Sequence, residues 1–266
     1  MPRTLFDRPD EKVRLDELSA EPPKGMTREK AEPRLAELGE ELFALQDEMF
    51  ASKASSVLVV LQGRDTAGKD GTIKHVAGYL NPRGVSVVSF GVPTAEEREH
   101  DFLWRVHRHA PRLGEFAIFN RSHYEDVVAV RMYEIAPEPV WRPRYTHIRD
   151  FERMLVDEGT TVLKAFLNVS RDEQRARLQE RVDDPGKRWK FRRDDLKVRE
   201  RFDDWVAAWE EAVTETSTDW APWHIVPADR NWVKALAVAE LVAGALERLD
   251  PQPPDPEEGI EGMQIR

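Results

Sequence analysis

Residues 57–71, VLVVLQGRDTAGKDG, decide the fold. A short apolar run rich in valine ends in the pattern Gly-x-x-x-x-Gly-Lys, which places Gly63, Gly68 and Lys69. A helical pattern begins directly afterwards, and this strand, loop and helix order is the one in which the motif binds phosphate. The glycines allow a tight turn, the loop amides and the helix start attract anions, and Lys69 adds a mobile positive charge. The stretch therefore predicts a phosphate loop at residues 63–69.

The loop departs from the nucleotide-binding consensus at two positions. Asp70 follows the lysine, where Ser or Thr normally offers a hydroxyl to magnesium. A carboxylate, Asp65, lies inside the loop. Because an anion beside a phosphate site is unfavourable unless a cation lies between them, Asp65 is interpreted as a metal ligand or as the partner of a nearby basic side chain. A glycine-rich turn with an incidental lysine is the alternative for the whole loop.

Composition limits the classes of function. The chain has 266 residues, of which 40% are hydrophobic and 34% charged, and this suits one large, soluble α/β domain. No apolar run reaches the roughly 20 residues of a membrane span, and the N-terminus has no apolar signal core. The absence of cysteine excludes disulfides, thiolate catalysis and Cys-ligated zinc, and it fits a cytoplasmic location. The net charge of −10 argues against general nucleic-acid binding, but clustered cations can still bind a polyanion.

Hydrophobic periodicity divides the chain into three parts. Residues 1–30 are predicted to form a charged N-terminal arm, residues 31–250 the main domain, and residues 251–266 a disordered, acidic and proline-rich tail. A helix is predicted over 27–52, and another closes the domain at 232–249. Between them, near-continuous apolar strands alternate with helices, which indicates a parallel sheet covered on both faces. Five strands are predicted, at 57–61, 85–90, 115–119, 160–168 and 223–227.

Two basic segments lie outside the loop. A helix predicted to start at Thr94 carries Arg105 and Arg108 on one face, which is either a solvated charged face or a wall lined for a phosphate chain. Residues 182–197 follow the fourth strand, where nucleotide kinases place a lid that closes over the phosphates. A solvated charge run and a contact with nucleic acid are the alternatives for this segment, but its position favours a lid. Between residues 186 and 193 its cations are Lys187, Arg188, Lys190, Arg192 and Arg193.

A polar segment, NRSHYED at 120–126, follows the third strand. In a phosphate-loop fold this strand ends beside the loop, so its polar groups can hold magnesium or grip the transferring phosphoryl group. Arg121 suits the second role because a planar guanidinium binds phosphate oxygens in pairs. Asn120 occupies the place where an Asp would be the ordinary metal ligand. Alternatively, Ser122 and Glu125 form a capping box at a helix start, and both interpretations can hold together.

With these three segments, 63–71, 120–126 and 187–191, the sequence resembles the polyphosphate kinase 2 family over about residues 30–250. The resemblance implies an α/β, three-layer αβα P-loop kinase fold like that of thymidylate kinase, with a five-stranded parallel sheet and a helical lid. It also implies Mg²⁺-dependent phosphoryl transfer between inorganic polyphosphate and a nucleotide. The 120–126 segment resembles the subgroup that accepts AMP as well as ADP.

The resemblance and the motifs together assign roles to residues. Asp65, Lys69 and Arg121 are the catalytic candidates, and Asp65 is also the magnesium candidate. Asn120 departs from the Asp found in many members, which leaves its part in metal binding open. The nucleotide-binding candidates are Asn120, Arg121, Ser122 and Glu125. The candidates for binding phosphate or polyphosphate are Gly63, Arg64, Thr66, Ala67, Gly68, Lys69, Asp70, Gly71, Lys74, Arg105, Arg108, Lys187, Arg188, Lys190, Arg192 and Arg193.

The expected cofactor is Mg²⁺, and the expected partners are polyphosphate and adenine nucleotides, with guanine nucleotides as an alternative. A homo-oligomer is expected, whereas nucleic acid and membranes are not expected partners. Two other functions stay open at this point. One is an ATP-dependent kinase of a nucleotide or another small molecule, and the other is a nucleotide- or RNA-binding module that catalyses no reaction. The two basic segments favour a longer polyanion as phosphoryl donor.

Overall fold

The computed structural model describes residues 12–260 and 262–264. Its strands are β1 (Ser56–Gly63), β2 (Val85–Ser89), β3 (Phe116–Asn120), β4 (Thr160–Asn168) and β5 (Trp223–Pro227). They form one sheet in the order β2-β3-β1-β4-β5, and all neighbouring strands are parallel. The five predicted strands and their parallel arrangement are therefore confirmed, with bounds that agree to within about two residues.

Helices follow or connect the strands throughout the sheet. Single 3₁₀ turns lie at Pro82–Gly84 and Arg188–Lys190. The α-helices are α1 (Arg28–Ser52), α2 (Lys69–Ala77), α3 (Ala95–Arg98), α4 (Trp104–His107), α5 (Glu125–Met132), α6 (Glu138–Trp141), α7 (Arg144–Asp157), α8 (Arg171–Asp183), α9 (Asp194–Glu200), α10 (Phe202–Thr216) and α11 (Asn231–Leu249).

The alternation of strand residues divides the core into two halves. Val57, Val59 and Leu61 of β1 face the half that α1, α2 and α11 cover. Leu58 and Val60 face the half that α5, α7 and α10 cover. Successive side chains of a strand point to opposite faces, so a strand buried on both faces has to be a continuous apolar run. The αβα arrangement of three layers is therefore confirmed.

An apolar stripe of α1 packs into the first half of this core. Leu35, Leu38, Leu42 and Met49 of the stripe are buried. Their spacing of three, four and seven residues places them on one face of a helix. This face lies against α11, which is itself apolar along most of its length. The apolar face of α1 therefore packs on a helix of the same chain rather than directly on the sheet.

Part of the N-terminal arm packs across the carboxyl end of the sheet. Val13 and Leu15 are buried. The side-chain amide of Asn168, the last residue of β4, donates to the carbonyl oxygens of Leu15 and Leu18 at 3.0 and 3.1 Å. The arm is therefore held near the loops that follow the strands.

The predicted boundaries of arm, domain and tail at residues 30 and 250 stay predictions. Residues 1–11 of the arm and residues 261 and 265–266 of the tail lie outside the described residues. Among the helices of residues 12–260 and 262–264, none combines the length and the apolar character that crossing a membrane requires.

One predicted helix is wrong in its length. Thr94 caps α3 as predicted, but this helix is a single turn. The Asp101 carboxylate then accepts a hydrogen bond from the backbone N–H of Trp104 at 3.1 Å, where α4 begins. An Asp side chain that binds backbone donors in this way competes with a continuous helix. Arg105 and Arg108 therefore do not extend one long helical face from Thr94.

Candidate active site

The carboxyl end of β1 runs directly into the phosphate loop. An added Cβ at Gly63 would lie 2.9 Å from the Leu167 carbonyl oxygen of the neighbouring strand, so a side chain has no room there. Gly68 has a φ of +91° and Thr66 a φ of +67°, both in the left-handed region that glycine adopts most easily. Gly68 is the N-cap of α2. These backbone angles return the loop to the start of the helix, as the motif requires.

Lys69 is the first residue of α2, and its ammonium group turns back over the loop. Nζ donates to the carbonyl oxygens of Gly63 at 2.6 Å and Arg64 at 3.5 Å. Burial lowers the pKa of Lys69 to about 8, and the charge of Arg121 acts in the same direction. The lysine is therefore still mostly protonated at pH 7, and its partners are carbonyl groups of the loop itself.

Arg121 faces the loop from the end of β3. The strand register places Asn120 beside Leu61 of β1, and Arg121 follows with a φ of +61°, which is uncommon for a residue with a side chain. Its guanidinium lies 3.1 Å from Asp65 and 3.5 Å from Glu125. Glu125 is the main cause of the raised pKa of Arg121, while burial raises the pKa of Glu125. Asp65 is therefore the partner of a basic side chain, one of its two predicted interpretations.

Asn120 connects the end of β3 to the start of α2. Its Nδ2 donates to Asp70 Oδ1 at 2.7 Å and to Ser89 Oγ at 3.3 Å. The carboxyl ends of β2 and β3 thus meet the start of α2 at one edge of the sheet. The structure brings six predicted site residues together at this edge: Asp65, Lys69, Asp70, Asn120, Arg121 and Glu125.

Ser122 is buried below this site. Its side chain is inaccessible to solvent, and its hydroxyl lies 3.1 Å from the side-chain amide of Gln62. In the amide orientation that satisfies all groups, Gln62 also donates to Glu125 Oε1 at 3.0 Å. In place of the predicted capping box, the backbone N–H of Glu125 donates to the Ser122 carbonyl oxygen at 3.1 Å. The predictions of a nucleotide contact and of a capping box at Ser122 are therefore wrong, because Ser122 supports Gln62 instead.

Arg64 turns towards the end of β4, behind the loop. Its side chain is only 7% exposed. Nη2 donates to Asn168 Oδ1 at 2.8 Å and also to the Val169 carbonyl oxygen, and the guanidinium lies 4.7 Å from the centre of the Phe202 ring. Burial lowers the pKa of Arg64 to about 10. The Arg64 side chain therefore ties the loop to the sheet and does not bind phosphate, whereas a phosphate contact through the backbone of residue 64 stays a prediction.

Arg105 is enclosed as well. It is 4% exposed, its Nη2 lies 2.9 Å from Asp126 Oδ2, and its Nη1 donates to the Gly91 carbonyl oxygen at 2.9 Å. A guanidinium with these partners cannot reach a polyphosphate chain, so this prediction is wrong. Arg108 is exposed and lies 4.9 Å from the centre of the Trp104 ring. Arg108 stays a candidate.

The predicted lid lies between the end of α8 and the end of α9. Lys187 pairs with Glu180 at 2.5 Å, and Arg188 Nε donates to the carbonyl oxygen of Val182 at 2.9 Å. Lys190 lies 5.1 Å from the ring centre of the exposed Trp189. These cations bind groups of their own segment or of the adjoining end of α8. The predicted phosphate-binding roles stay predictions for the other candidates, Gly63, Thr66, Ala67, Gly68, Lys69, Asp70, Gly71, Lys74, Lys187, Arg188, Lys190, Arg192 and Arg193.

Sequence reasoning missed two cations behind the loop. Arg177 of α8 donates to the Thr66 carbonyl oxygen at 2.9 Å, and Lys234 of α11 donates to that of Ala67 at 2.8 Å. Arg177 is one of several arginines on α8, so no pattern distinguishes it. Lys234 carried a signal, because it is a lone lysine in the apolar sequence of α11, and a buried lysine needs a partner.

A parallel sheet, a phosphate loop after its central strand, and a lysine and an arginine that converge on this loop define a P-loop phosphotransferase. Residues 25–254 match the family model described as Polyphosphate kinase 2. The chain therefore belongs to the polyphosphate kinase 2 family, which the sequence resemblance had indicated.

Individual relatives agree with this assignment. The chain is 53% identical over 231 residues to an AMP/ADP-polyphosphate phosphotransferase of Meiothermus ruber, covering 87% of this chain and 86% of the relative. It is 41% identical over 241 residues to an ADP-polyphosphate phosphotransferase of Rhodopseudomonas palustris, covering 85% and 83%. The crystal structure of polyphosphate kinase 2 from Arthrobacter aurescens superposes with a TM-score of 0.92 at 39% identity, covering 96% of this chain and 92% of that one. These similarities confirm the predicted fold.

Proposed function

We propose that this protein catalyses the reversible, Mg²⁺-dependent transfer of phosphoryl groups between inorganic polyphosphate and nucleotides, and phosphorylates AMP and ADP towards ATP. Family membership supports the reaction class, and the Meiothermus ruber relative is named for both acceptors. The structural observation that carries the proposal is the convergence of Lys69 and Arg121 on one phosphate loop. The expected adenine nucleotides, with guanine nucleotides as the alternative, the cytoplasmic location and the homo-oligomeric state belong to the same proposal.

The reaction needs no covalent enzyme intermediate. A terminal phosphate oxygen of the nucleotide attacks the terminal phosphorus of polyphosphate, and the bridging P–O bond to the next phosphate breaks. The nucleotide gains one phosphoryl group, and the polyphosphate becomes one phosphate shorter. No strong general base is required because the attacking oxygen is already ionised. Positioning and charge neutralisation therefore supply the rate acceleration.

Lys69 and Arg121 neutralise the transferring group in this scheme. Lys69 exchanges the carbonyl oxygens of Gly63 and Arg64 for phosphate oxygens, which bind an ammonium group more strongly because they are charged. Arg121 presents its planar fork beside the loop, where Asp65 and Glu125 hold it before substrate arrives. Donors that are held in place in advance stabilise developing charge without the cost of reorganisation.

The carboxylates of the site suit Mg²⁺. Proteins commonly hold this ion through one or two carboxylates together with substrate phosphates and water. Asp65 beside the loop and Asp70 at the start of α2 are the two candidates, and Asn120 orients Asp70. Among residues 12–260 and 262–264, no group of three or more His, Cys, Asp or Glu side chains is arranged to hold a metal. When bound, Mg²⁺ neutralises charge on the transferring phosphates.

The exposed lid cations suit a role in binding the polyphosphate chain beyond the transferring group. Lys187 and Arg188 have partners in the lid or at the adjoining end of α8, so a polyanion can replace these partners without disturbing the core. Closure of such a segment over bound phosphates would exclude water and add positive charge.

A coupled ATP assay tests the proposal. Purified protein is supplied with Mg²⁺, polyphosphate and either AMP or ADP, and Lys69→Met is compared with Lys30→Met, an exposed lysine of α1 bound to the Gly25 carbonyl. We expect ATP from both acceptors, lost in Lys69→Met and retained in Lys30→Met. ATP from ADP alone would reject AMP as an acceptor.

Two other results would overturn the proposed reaction. Phosphorylation of AMP only with ATP as donor would identify an ordinary nucleotide kinase. Nucleotide binding without turnover in any pairing of donor and acceptor would identify a binding module. Light scattering on the same sample tests the homo-oligomeric state, and a monomer would contradict it.

A further inference from the structure

The rear of the phosphate loop contacts cations from two distant helices. Lys234 of α11 is 2% exposed, and its Nζ donates to the Ala67 carbonyl oxygen at 2.8 Å. Arg177 of α8 donates through Nη1 to the carbonyl oxygens of Thr66 at 2.9 Å and Ala67 at 3.4 Å. Its Nη2 donates to the carbonyl oxygens of residues 228 and 229, both at 2.8 Å. Arg177 therefore connects the loop to the segment that precedes α11.

These contacts fix the direction of loop amides. A trans peptide is planar, so its carbonyl and its N–H point in opposite directions, and the described residues contain no cis peptide. The carbonyl of Ala67 shares a peptide with the N–H of Gly68. Because Lys234 and Arg177 bind this carbonyl from the rear, the Gly68 N–H points away from them. Gly68 is the N-cap of α2, where backbone amides attract anions.

Gly68 and Lys234 also fit each other sterically. An added Cβ at Gly68 would overlap Lys234 Nζ and would lie 2.9 Å from Lys234 Cε. The end of the lysine thus occupies the space that a side chain at position 68 would need. Gly68 therefore allows the turn of the loop, and its lack of a side chain leaves room for the Lys234 ammonium group.

The charge of Lys234 is sensitive to its surroundings. Burial lowers the pKa of Lys234 to about 7, and Arg177 and Lys69 act in the same direction, whereas Glu173 and Asp229 oppose them. Lys69, whose ammonium group binds the Gly63 carbonyl oxygen of the same loop, is thus close enough to repel the Lys234 charge. An anion bound in the loop would favour the charged form of both lysines.

We infer that Lys234 and Arg177 are positioning residues for the phosphate loop. They hold the carbonyl oxygens of Thr66 and Ala67 to the rear, and the Gly68 amide thereby faces the phosphate that the loop binds. Neither residue touches the reacting atoms. The turnover test of this role rests on the proposed function. The binding test does not, because phosphate binding is measured separately.

Lys234→Met tests this role because methionine keeps the length of the side chain and removes its charge and donor. Affinities for inorganic triphosphate and for ADP are measured by calorimetry at 25 °C with Mg²⁺, well below the unfolding midpoint. We expect the Kd of at least one ligand to rise about tenfold or more, the range for a lost charge-assisted hydrogen bond. Arg177→Lys keeps a charge but cannot span four carbonyl groups, and we expect a smaller rise.

Leu246→Ala is the matched control. Leu246 is a buried residue of α11 twelve positions after Lys234, or roughly 18 Å along the helix. It should lower the unfolding midpoint and leave both Kd values unchanged. In turnover, a smaller folded fraction lowers kcat alone, whereas a loosened loop raises KM.

Kd values within twofold of wild type in folded Lys234→Met and in Arg177→Lys would overturn the inference. Should Lys234→Met fail to fold, Arg177→Lys alone decides it by the same twofold limit. Absence of wild-type turnover with polyphosphate would instead reject the proposed function, because the binding measurements do not depend on it.

Discussion

The phosphate loop and the lid are both lined with cations, but the two sets are held in opposite ways. Behind the loop, Arg64 and Lys234 are buried and bound to fixed carbonyl or amide oxygens. In the lid, Lys187 and Arg188 contact surface groups of the lid and of the adjoining end of α8. Buried cations with fixed partners hold a geometry and are screened little by salt, whereas exposed cations adapt to a ligand and are screened strongly. The buried cations therefore hold the backbone of the loop in place, and the lid cations are suited to attract a polyanion.

Replacement of Arg121 should have the largest effect on turnover. This cation lies beside the loop, and in the proposed reaction it contacts the transferring group. We expect Arg121→Met to lower kcat by about a hundredfold to a thousandfold, as for other lost transition-state donors. Arg121→Lys keeps the charge without the fork and should lose about tenfold. Steady-state kinetics in the coupled ATP assay measure both changes.

Arg153→Met is the control for Arg121. Arg153 is an exposed arginine of α7 paired with Asp157, and α7 ends near the start of β4, at the edge of the sheet opposite the loop. Its replacement should leave kcat and KM unchanged. An Arg121→Met enzyme with a kcat within threefold of wild type would remove Arg121 from the reaction.

Replacement of Arg105 should lower stability rather than substrate binding, because this arginine belongs to the buried set. Arg105→Met leaves the Asp126 carboxylate buried without its cation, which costs about 3 kcal/mol or more of unfolding free energy. Denaturant unfolding measures this loss, and KM for polyphosphate should be unchanged at a temperature where the variant is folded.

Arg108→Met provides the comparison for Arg105. Arg108 is exposed, so its replacement should change the unfolding free energy by no more than about 0.5 kcal/mol. An Arg105→Met variant of wild-type stability and raised KM would place Arg105 on the polyphosphate path after all.

Affinity and stability should respond to pH in opposite directions through Lys69. Its pKa of about 8 lies below the ordinary lysine value of 10.5. As pH rises from 7.5 to 9, the free protein loses this charge, and the Kd for inorganic triphosphate with Mg²⁺ should rise by up to about tenfold. Over the same range the unfolded chain binds more protons than the folded one, so the contribution of Lys69 makes the unfolding free energy increase.

Lys69→Met separates the contribution of this lysine from other titrating groups. Calorimetric Kd values between pH 7 and 9.5 should lose the part of the pH dependence centred near pH 8 in this variant. An unchanged pH profile would show that another group is responsible for the dependence.

Replacement of lid cations should have the smallest effect on the rate. The double variant Arg188→Met, Lys190→Met should raise KM for polyphosphate about threefold to tenfold at low salt, with little change in kcat. The difference should shrink at higher ionic strength because exposed charges are screened. Arg28→Met, an exposed arginine of α1 paired with Glu32, is the control. An effect that does not depend on salt would mean that the lid holds a fixed geometry like the loop.

Much of the front of the site could be predicted because its signals are local. The apolar run of β1, the spacing of Gly63, Gly68 and Lys69, and the polar segment after β3 are each contained in a few residues. Parallel strands then bring their carboxyl ends together, so Arg121 is expected beside the loop. The structure confirms that neighbourhood, with a distance of 3.1 Å between Arg121 and Asp65.

The errors concern charged side chains whose partners are far away in sequence. Arg64 lies inside the motif, yet its partner Asn168 is 104 residues away. Arg105 carries the same charge as Arg108, yet it is buried and paired with Asp126. The helix predicted to align the two arginines is interrupted, because Asp101 binds backbone N–H groups at the start of α4. Sequence spacing reports which residues share a local face, but it does not report which charge is neutralised by another segment.

Residue patterns alone predict a parallel α/β sheet with a phosphate loop after its first strand, because periodicity and glycine geometry act within one element. The order of the strands and the partner of each cation depend on the folded chain. Arg121 pairs with Asp65 near Lys69, whereas Lys234, 167 residues from Ala67, binds a carbonyl oxygen of the same loop. Desolvation and pairing determine whether a charged side chain binds a ligand or supports the fold. Both depend on contacts between distant segments.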